Sequence, residues 1–311
     1  MINTLTLNPA IDKVIYLDSL RKNLTNRIEG IAEVIGGKGT HVSINLKLLG
    51  LGNRAFGICH GESGTRIMRY LMEHGVDVEF IHKAGALSRT NYLFVERTND
   101  CTIVAEKGVP LSEEDLAGII GFMQGKMGQG DFLVLSGDAG NCPDPFVYNG
   151  IMNRFREMNL RVFIDTSGPA LAKCIESAPF LIKPNLNELS FLCGREVASE
   201  DNAVRRALDS LDRYGIEIIA VSLGKDGSIV KCPQGLFKAV PPPVKVRNTI
   251  GCGDCYLAGL VYGISEGKSM EETLRIATAA SAATAESALS VGFDTERAKA
   301  LEADCLVRRL G

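Results

Sequence analysis

The chain has 311 residues, of which 45% are apolar and 23% charged, and its formal net charge is −3. This is an ordinary globular composition without a basic stripe, which excludes nucleic acid as the main partner. No segment approaches the ~20 apolar residues that span a bilayer, and the N-terminus lacks the basic and apolar regions of a signal peptide. We therefore expect a cytoplasmic protein with no membrane partner.

Short β-rich runs alternate with helix-like segments along most of the chain. The predicted strands are INTLTL at 2–7, DFLVLSG at 131–137, LRVFIDTSG at 160–168, FLIKPN at 180–185 and IEIIAVSLG at 216–224. The predicted helices between them cover 145–159, 170–177, 187–193 and 201–214. Nearly continuous apolar strands are typical of a parallel sheet covered on both faces. The alternation predicts a doubly wound α/β fold, with its functional residues at the carboxyl ends of the strands.

Two zones break this alternation. Residues 11–35 and 87–107 alternate apolar and polar side chains, which is typical of antiparallel strands with one solvated face. We interpret them as a small β-lid above the main sheet. The alternative is an edge hairpin without a role.

Three short motifs carry groups that suit an anion or a sugar. GGKG, Gly36–Gly39, precedes a helical pattern, where backbone N–H groups and the Lys38 ammonium suit a phosphate; a simple turn is the alternative. RTN places Arg89 and Asn91 on one face of a predicted strand, where they either bind the same phosphate or lie in solvent. Asp12, in LNPAID, follows the first strand and faces the expected cleft, although a surface Asp would look the same.

Two further motifs follow predicted strands in the second half of the chain. In KPNLNEL, Asn185 and Glu188 have the spacing of a capping box, which is a purely structural explanation. The alternative is that their oxygens hold hydrated Mg²⁺ at the end of the strand. SLGKDGS, residues 222–228, is a strand followed by a glycine-rich turn, as expected beside a nucleotide.

NTIGCGDCYLAGLVYG, residues 248–263, carries two incompatible patterns. Gly251–Asp254 precedes an apolar helix, where free N–H groups suit an anion and the Asp can accept a hydroxyl proton, as phosphoryl transfer requires. The structural alternative is a glycine-rich helix start with an Asp favoured by the helix dipole. Cys252 and Cys255 have the CxxC spacing of a redox or zinc pair, but no histidine or second cysteine pair lies near them in sequence. We interpret the CxxC as coincidence and the nine cysteines as reduced thiols.

Seven motifs in register make the sequence resemble the ribokinase-like PfkB carbohydrate kinases. In order they are TLNPAID, GGKG, RTN, DTSGPAL, KPNLNEL, SLGKDG and NTIGCGD, and together they cover essentially the whole chain. The first two look most like the branch that contains 1-phosphofructokinase and tagatose-6-phosphate kinase. The resemblance implies a single domain over residues 1–311 with a three-layer α/β/α, mostly parallel sheet. It also implies a β-lid that closes over substrate and often builds a homodimer.

The resemblance also implies a role for each motif. Asp254 would be the catalytic base, and the anion hole would be formed by Gly251, Cys252 and Gly253. The sugar phosphate would be bound by Asp12, Gly37, Lys38, Gly39, Arg89 and Asn91. ATP would lie along Lys183, Asn185, Ser222, Gly224 and Gly227. Asn185 and Glu188 would organise Mg²⁺ through water.

From these roles we expect ATP-dependent phosphorylation of a phosphorylated ketohexose, namely fructose 1-phosphate to fructose 1,6-bisphosphate, with Mg²⁺ and with a monovalent cation as a further candidate. The alternatives are a tagatose-6-phosphate kinase, another PfkB-type sugar or nucleoside kinase, and a non-catalytic phosphosugar sensor, which would not need the intact Gly251–Asp254. The sugar is the least determined feature. His41 stands where the family usually has Asn, and Ser136–Pro143 replaces an SGS-type turn.

Overall fold

The structure is a computed structural model that describes residues 1–98 and 100–310. Residue 99, which falls inside the predicted lid segment 87–107, and residue 311 lie outside the described residues. The strands in chain order are β1 (Ile2–Thr6), β2 (Ala10–Leu17), β3 (Ile28–Gly36), β4 (Arg54–His60), β5 (Asp77–Lys83), β6 (Arg89–Glu96), β7 (Cys101–Ala105), β8 (Phe132–Ser136), β9 (Arg161–Asp165), β10 (Leu181–Ile182), β11 (Ile218–Ser222), β12 (Ser228–Cys232), β13 (Gly235–Val240) and β14 (Leu306–Leu310). The α-helices are α1 (Lys38–Leu48), α2 (Gly61–Glu73), α3 (Glu113–Gln124), α4 (Val147–Arg154), α5 (Gly168–Ile175), α6 (Leu186–Cys193), α7 (Asp201–Ser210), α8 (Cys252–Ser265), α9 (Met270–Ala285) and α10 (Thr295–Glu302).

The main sheet has ten strands in the order β14-β13-β12-β11-β10-β9-β8-β1-β4-β5. The strands from β11 to β5 are all parallel, and β12, β13 and β14 extend the sheet in antiparallel fashion. The chain leaves β1 toward β4 and β5 on one side, and runs from β8 toward β9 on the other. The order therefore reverses between β1 and β8, and ligands of such sheets bind at the carboxyl ends of the strands beside this point.

Helices cover both faces of this sheet, which confirms the three-layer α/β/α prediction. Leu133 and Leu135 of β8 point into a core shared with α3 to α7, whereas Val134 points into a core shared with α1, α8 and α9. All three side chains are fully buried. Because successive strand residues face opposite sides, a continuous apolar run requires cover on both faces. Each such side chain contributes about 1.5–3 kcal/mol through burial.

The predicted lid is a separate four-stranded sheet in the order β3-β2-β6-β7. The pairs β2–β3 and β6–β7 are antiparallel as expected, but the central pair β2–β6 is parallel, so the expectation of antiparallel strands throughout was wrong. The reason is topological. Strands β2 and β6 each follow a parallel strand of the main sheet, β1 and β5, and leave its same carboxyl edge in the same direction.

Several other predicted elements are shorter in the structure. The strand FLIKPN is reduced to Leu181–Ile182, because Pro184 lacks a backbone N–H and interrupts the ladder of hydrogen bonds. The backbone nevertheless stays beside β11, since Ser222 N donates to the Pro184 carbonyl oxygen and Asn185 forms a bridge with Ser222. The helices predicted at 145–159 and 201–214 end as α4 and α7, and each is followed by a short 3₁₀ turn. Among the described residues, no helix is both long enough and apolar enough to cross a membrane.

Candidate active site

The start of α8 presents unpaired backbone N–H groups at the carboxyl edge of the sheet. Gly251 is the residue before the helix and no side chain caps this end. The first intrahelical bond runs from Cys255 N to Gly251 O at 2.9 Å, so the N–H groups of residues 252–254 have no partner within the helix. Gly251 has φ 81°, and a Cβ there would lie 1.9 Å from the carbonyl oxygen of Ser290. Only glycine fits this turn, and the turn leaves an anion-binding helix start.

The start of α1 faces the same space. It follows Gly37 and also lacks a side-chain cap. The two helices meet in a hydrogen bond between His41 Nδ1 of α1 and Asp254 Oδ2 of α8, at 2.8 Å. This bond joins residues that are 213 positions apart in the sequence. The motifs GGKG and GCGD are therefore neighbours in the fold.

A buried carboxylate joins the two predicted lysines. Lys38 Nζ lies 3.2 Å from Asp165 Oδ1, and Lys183 Nζ lies 3.3 Å from Asp165 Oδ2. Burial alone would raise the pKa of Asp165, but the charges of Lys183 and Lys38 outweigh burial and lower it. A Cβ at Gly253 would stand 3.4 Å from Lys183 Nζ, so this ammonium group borders the α8 helix start. Two cations thus flank the position where an anion would meet the free N–H groups.

Besides the two helix starts, lid strands β2 and β6 border the cleft, and we call the surface that they form around Asp12, Arg89 and Asn91 the acceptor wall. Asp12 is buried within β2 and accepts a hydrogen bond from Asn91 Nδ2 at 2.8 Å, whereas the sequence placed it just past β1. Burial raises the pKa of this carboxyl group. Asn91 Oδ1 is buried without a hydrogen-bond partner, which leaves an acceptor for a ligand hydroxyl.

Arg89 lies in this wall, as the two-residue spacing to Asn91 predicted. Its Nε donates to the carbonyl oxygen of Asn8 at 3.1 Å, and its Nη1 lies 3.5 Å from Asp138 Oδ2. The Asp138 side chain is 60% exposed, whereas that of Arg89 is only 10% exposed. The residues 136–143 that depart from the family pattern therefore do reach the acceptor wall, and they bring a carboxylate to it.

A cavity of about 530 Å³ opens on the other side of α8. Of the five residues predicted to lie along ATP, Ser222, Gly224 and Gly227 line this cavity, whereas Lys183 and Asn185 do not. The other lining residues are largely apolar or small, with one lysine, and were not predicted individually: Lys225, Ser228, Pro241–Val244, Val246, Thr249, Tyr256, Thr278, Ser281, Ala282 and Ala285. Gly253 and Cys252 also line it, so the α8 start lies between this cavity and the acceptor wall.

Asn185 and Glu188 form the capping box that their spacing predicted. Asn185 Oδ1 accepts from Glu188 N at 2.9 Å, and Glu188 Oε2 accepts from Asn185 N at 2.8 Å. Glu188 keeps its second oxygen, and its charge raises the pKa of Lys38 after the larger effect of Asp165, which places it near the cleft. Within 1–98 and 100–310, no group of three or more His, Cys, Asp or Glu could hold a metal ion alone. The residues present fit a cation that binds through water and nucleotide phosphates.

The two cysteines of the CxxC are not a reactive pair. All nine cysteines are free. Burial raises the pKa of the Cys252 thiol to about 12 and also raises that of Cys255, which is fully buried. Thiolates are the redox-active and metal-binding form of cysteine, and a raised pKa disfavours the thiolate. The buried thiols therefore favour the anion-binding interpretation of this stretch over a redox or zinc pair.

Two residues of the cleft have roles that the sequence did not predict. Asp165 enters the sequence prediction only as part of the DTSGPAL motif, although its place near the carboxyl end of a predicted strand is a signal for a functional residue. His41 was noted only as a departure near the sugar pocket, whereas it contacts the predicted base directly.

The doubly wound sheet with a separate lid sheet matches a fold known from solved structures. Escherichia coli phosphofructokinase-2, in a crystal structure described as a complex with potassium, has the same fold with a TM-score of 0.89 and 24% identity, over 97% of this chain and 98% of that chain. The family model for pfkB family carbohydrate kinases matches residues 5–294.

Two characterised relatives agree with this match. The chain is 32% identical over 285 residues to 1-phosphofructokinase of Bacillus subtilis strain 168, which covers 92% of each chain. It is 34% identical over 286 residues to D-tagatose-1-phosphate kinase of Bacillus licheniformis, again over 92% of each. The chain therefore belongs to the pfkB family of carbohydrate kinases and is an ATP-dependent sugar kinase, which confirms the resemblance and the predicted enzyme class.

Proposed function

We propose that the enzyme transfers the γ-phosphoryl group of ATP to a free hydroxyl of a ketohexose 1-phosphate, with fructose 1-phosphate as the preferred acceptor. The observation that carries this proposal is the convergence of Asp254, Lys38 and Lys183 at two uncapped helix starts. The relatives named 1-phosphofructokinase and D-tagatose-1-phosphate kinase both act, by name, on sugars with phosphate on carbon 1.

In the proposed mechanism, Asp254 accepts the proton of the acceptor hydroxyl as its oxygen attacks the γ-phosphorus. The bond from that phosphorus to the β,γ-bridging oxygen breaks, and ADP leaves. The backbone N–H groups of Gly251, Cys252 and Gly253 bind the transferring oxygens, with Lys183 beside them. Such preorganised donors stabilise the transition state most where water is excluded.

Acceptor binding is assigned to the lid side. Asp12 and Asn91 would bind sugar hydroxyls, and Arg89, with Gly37, Lys38 and Gly39 at the α1 start, would bind the phosphate already present. Asp138 would have to release Arg89 as the phosphate enters, which its 60% exposure allows.

The nucleotide is assigned to the 530 Å³ cavity, which lies within the range of small-ligand sites. Ser222, Gly224 and Gly227 would lie along ATP, with Lys183 and Asn185 toward its phosphates. Glu188, through the oxygen that its capping box leaves free, would hold a water of Mg²⁺. When bound, Mg²⁺ would neutralise charge on the nucleotide phosphates.

We also propose that the lid builds a homodimer. Its edge strands expose large apolar side chains, with Ile28 58%, Ile31 60%, Ile103 55% and Val104 53% exposed. Exposed apolar side chains on both unpaired edges of a small sheet are typical of association surfaces. Light scattering should give about twice the 33.5 kDa of the chain, and Ile31→Lys should reduce it. A monomeric wild type at assay concentration would contradict this part of the proposal.

The acceptor is tested by ADP release across four sugars. We expect the highest kcat/KM with fructose 1-phosphate, then D-tagatose 1-phosphate, and at least ~100-fold less with fructose 6-phosphate and free fructose, because one phosphate anchors the wrong end or none is present. A preference for D-tagatose 1-phosphate would keep the chemistry and change the sugar. A preference for free fructose would overturn the phosphate assignment.

A further inference from the structure

The pair formed by His41 and Asp254 has only one arrangement of hydrogens that fits its contacts. His41 Nε2 lies 2.9 Å from the carbonyl oxygen of Ile35, which only accepts, so Nε2 carries a hydrogen. His41 Nδ1 lies 2.8 Å from Asp254 Oδ2, and two lone pairs cannot bond, so a proton sits between them. When Asp254 is a carboxylate, His41 must therefore be an imidazolium.

We infer that His41 is a positioning residue for phosphoryl transfer, because its imidazolium holds Asp254 Oδ2 and leaves Oδ1 of Asp254 to take the acceptor proton. This inference rests on the proposed function, in which Asp254 is the base. The side chains of His41 and Asp254 are only 4% and 9% exposed, so water cannot easily replace the bond.

His41 cannot pass the accepted proton to solvent. Its second N–H is bonded to Ile35 at the end of β3, inside the protein, and the ring is buried. Through its two hydrogen bonds, His41 instead connects Asp254 on α8 to lid strand β3, which pairs with the strand β2 that carries Asp12. Its charge also lies between two carboxylates, those of Asp12 and Asp254, that face the acceptor, and it reduces their mutual repulsion.

The charged groups around the ring act in one direction. Burial lowers the pKa of His41, but the hydrogen bond and charge of Asp254 on α8 and the charge of Asp12 on β2 more than offset burial. The Ile35 carbonyl on β3 acts in the same direction as the carboxylates, and the pKa ends above its ordinary value. The imidazolium therefore persists to a higher pH than that of free histidine and is lost as the pH rises through this raised pKa.

The first test compares kcat with pH for the wild type and His41→Asn. The amide can still donate one hydrogen bond to Asp254 but does not titrate. We expect kcat of the variant to fall about 10- to 100-fold at neutral pH, as for a lost charged hydrogen bond, while KM for ATP changes less than about twofold. We also expect the wild type to lose activity at alkaline pH and the variant to lack that limb. His74→Asn, an exposed histidine at the end of α2, is the control and should match the wild type.

The second test needs neither activity nor the His41 variant. The chain has four histidines, so ¹⁵N spectra of histidine-labelled enzyme are simple to assign. We expect one ring to keep both nitrogens protonated to a higher pH than free histidine does, and Asp254→Asn should lower the pH at which that ring loses its second proton. A His41 ring that loses its second proton at or below the pH at which free histidine does, or alkaline limbs that coincide in wild type and His41→Asn, would overturn the inference. A wild type that phosphorylates no ketohexose phosphate would instead overturn the proposed function.

Discussion

The acceptor wall and the nucleotide cavity are built on opposite principles. The acceptor wall and the ion pairs beside it concentrate polar and charged groups that depend on one another. Asp12 accepts a hydrogen bond from Asn91 in the wall, and Asp165 pairs with two lysines next to it. The nucleotide cavity is lined mainly by prolines, alanines, valines and glycines. A buried charge that loses its partner is expensive, whereas apolar contacts are individually small. Single substitutions should therefore have much larger effects at the acceptor wall.

The largest effect is expected for Asp254→Asn, where the wall meets the cavity. The amide cannot accept a proton, and general-base assistance is worth ~10²–10⁴-fold in kcat. Calorimetric affinity for the sugar phosphate should stay within about threefold, because the change is isosteric. More than about a tenth of wild-type turnover would remove Asp254 from the role of base.

The next effect is on stability and concerns Asp165→Asn. Removing one partner of a buried ion pair costs about 3–5 kcal/mol of unfolding free energy, as measured by urea denaturation. Because the pKa of Asp165 is lowered in the fold, its contribution is fully present above the unfolded value near 3.9 and is lost only as the pH falls through the lower folded value. The difference should therefore be constant between pH 6 and 9.

The control for Asp165 is Asp209→Asn. Asp209 forms an ion pair with Lys231, but its side chain is 54% exposed. Exposed pairs contribute less than about 1 kcal/mol. Equal losses for both variants would show that burial does not distinguish the two pairs.

A smaller effect is expected for Arg89→Ala. Charge-assisted bonds to phosphate are worth about 1.5–3 kcal/mol, so KM for the sugar phosphate should rise at least ~10-fold while KM for ATP changes much less. Arg97→Ala removes the same charge from an exposed lid position paired with Glu29 and should leave both constants unchanged. Similar KM changes in the two variants would indicate a nonspecific effect of charge on the lid.

The smallest effect is expected on the cavity side, for Cys252→Ala. In the proposed mechanism, backbone N–H groups bind the phosphoryl group there, and burial raises the pKa of the Cys252 thiol that lines the cavity. Activity should stay within about threefold of the wild type, and metal analysis should find no stoichiometric zinc. A folded but inactive variant would restore the CxxC as a chemical motif.

The contrast between the two regions also explains what the sequence could predict. Motifs such as GGKG and GCGD report on one turn and one helix start, and the structure has both as expected. The bond from His41 to Asp254 and the ion pair from Lys38 to Asp165 join residues 213 and 127 positions apart. Local patterns do not contain such pairings, because they depend on how the helices and strands pack.

The nucleotide cavity was the harder region to predict. Its apolar wall at 241–246 has neither helical nor strand periodicity, and prolines without a pattern suggest only a loop. The parallel pairing of β2 with β6 was missed for a related reason. Alternating side chains show that one face of a strand is solvated, but the direction of its neighbour depends on where each strand leaves the main sheet.

The most direct test of the whole account is ³¹P NMR of the wild-type reaction with ATP, Mg²⁺ and fructose 1-phosphate. We predict that the acceptor keeps its original phosphate and gains a second phosphomonoester signal, in a one-to-one ratio with ADP, to give fructose 1,6-bisphosphate. Inorganic phosphate as the only new product, or no reaction while free fructose is phosphorylated, would contradict the account.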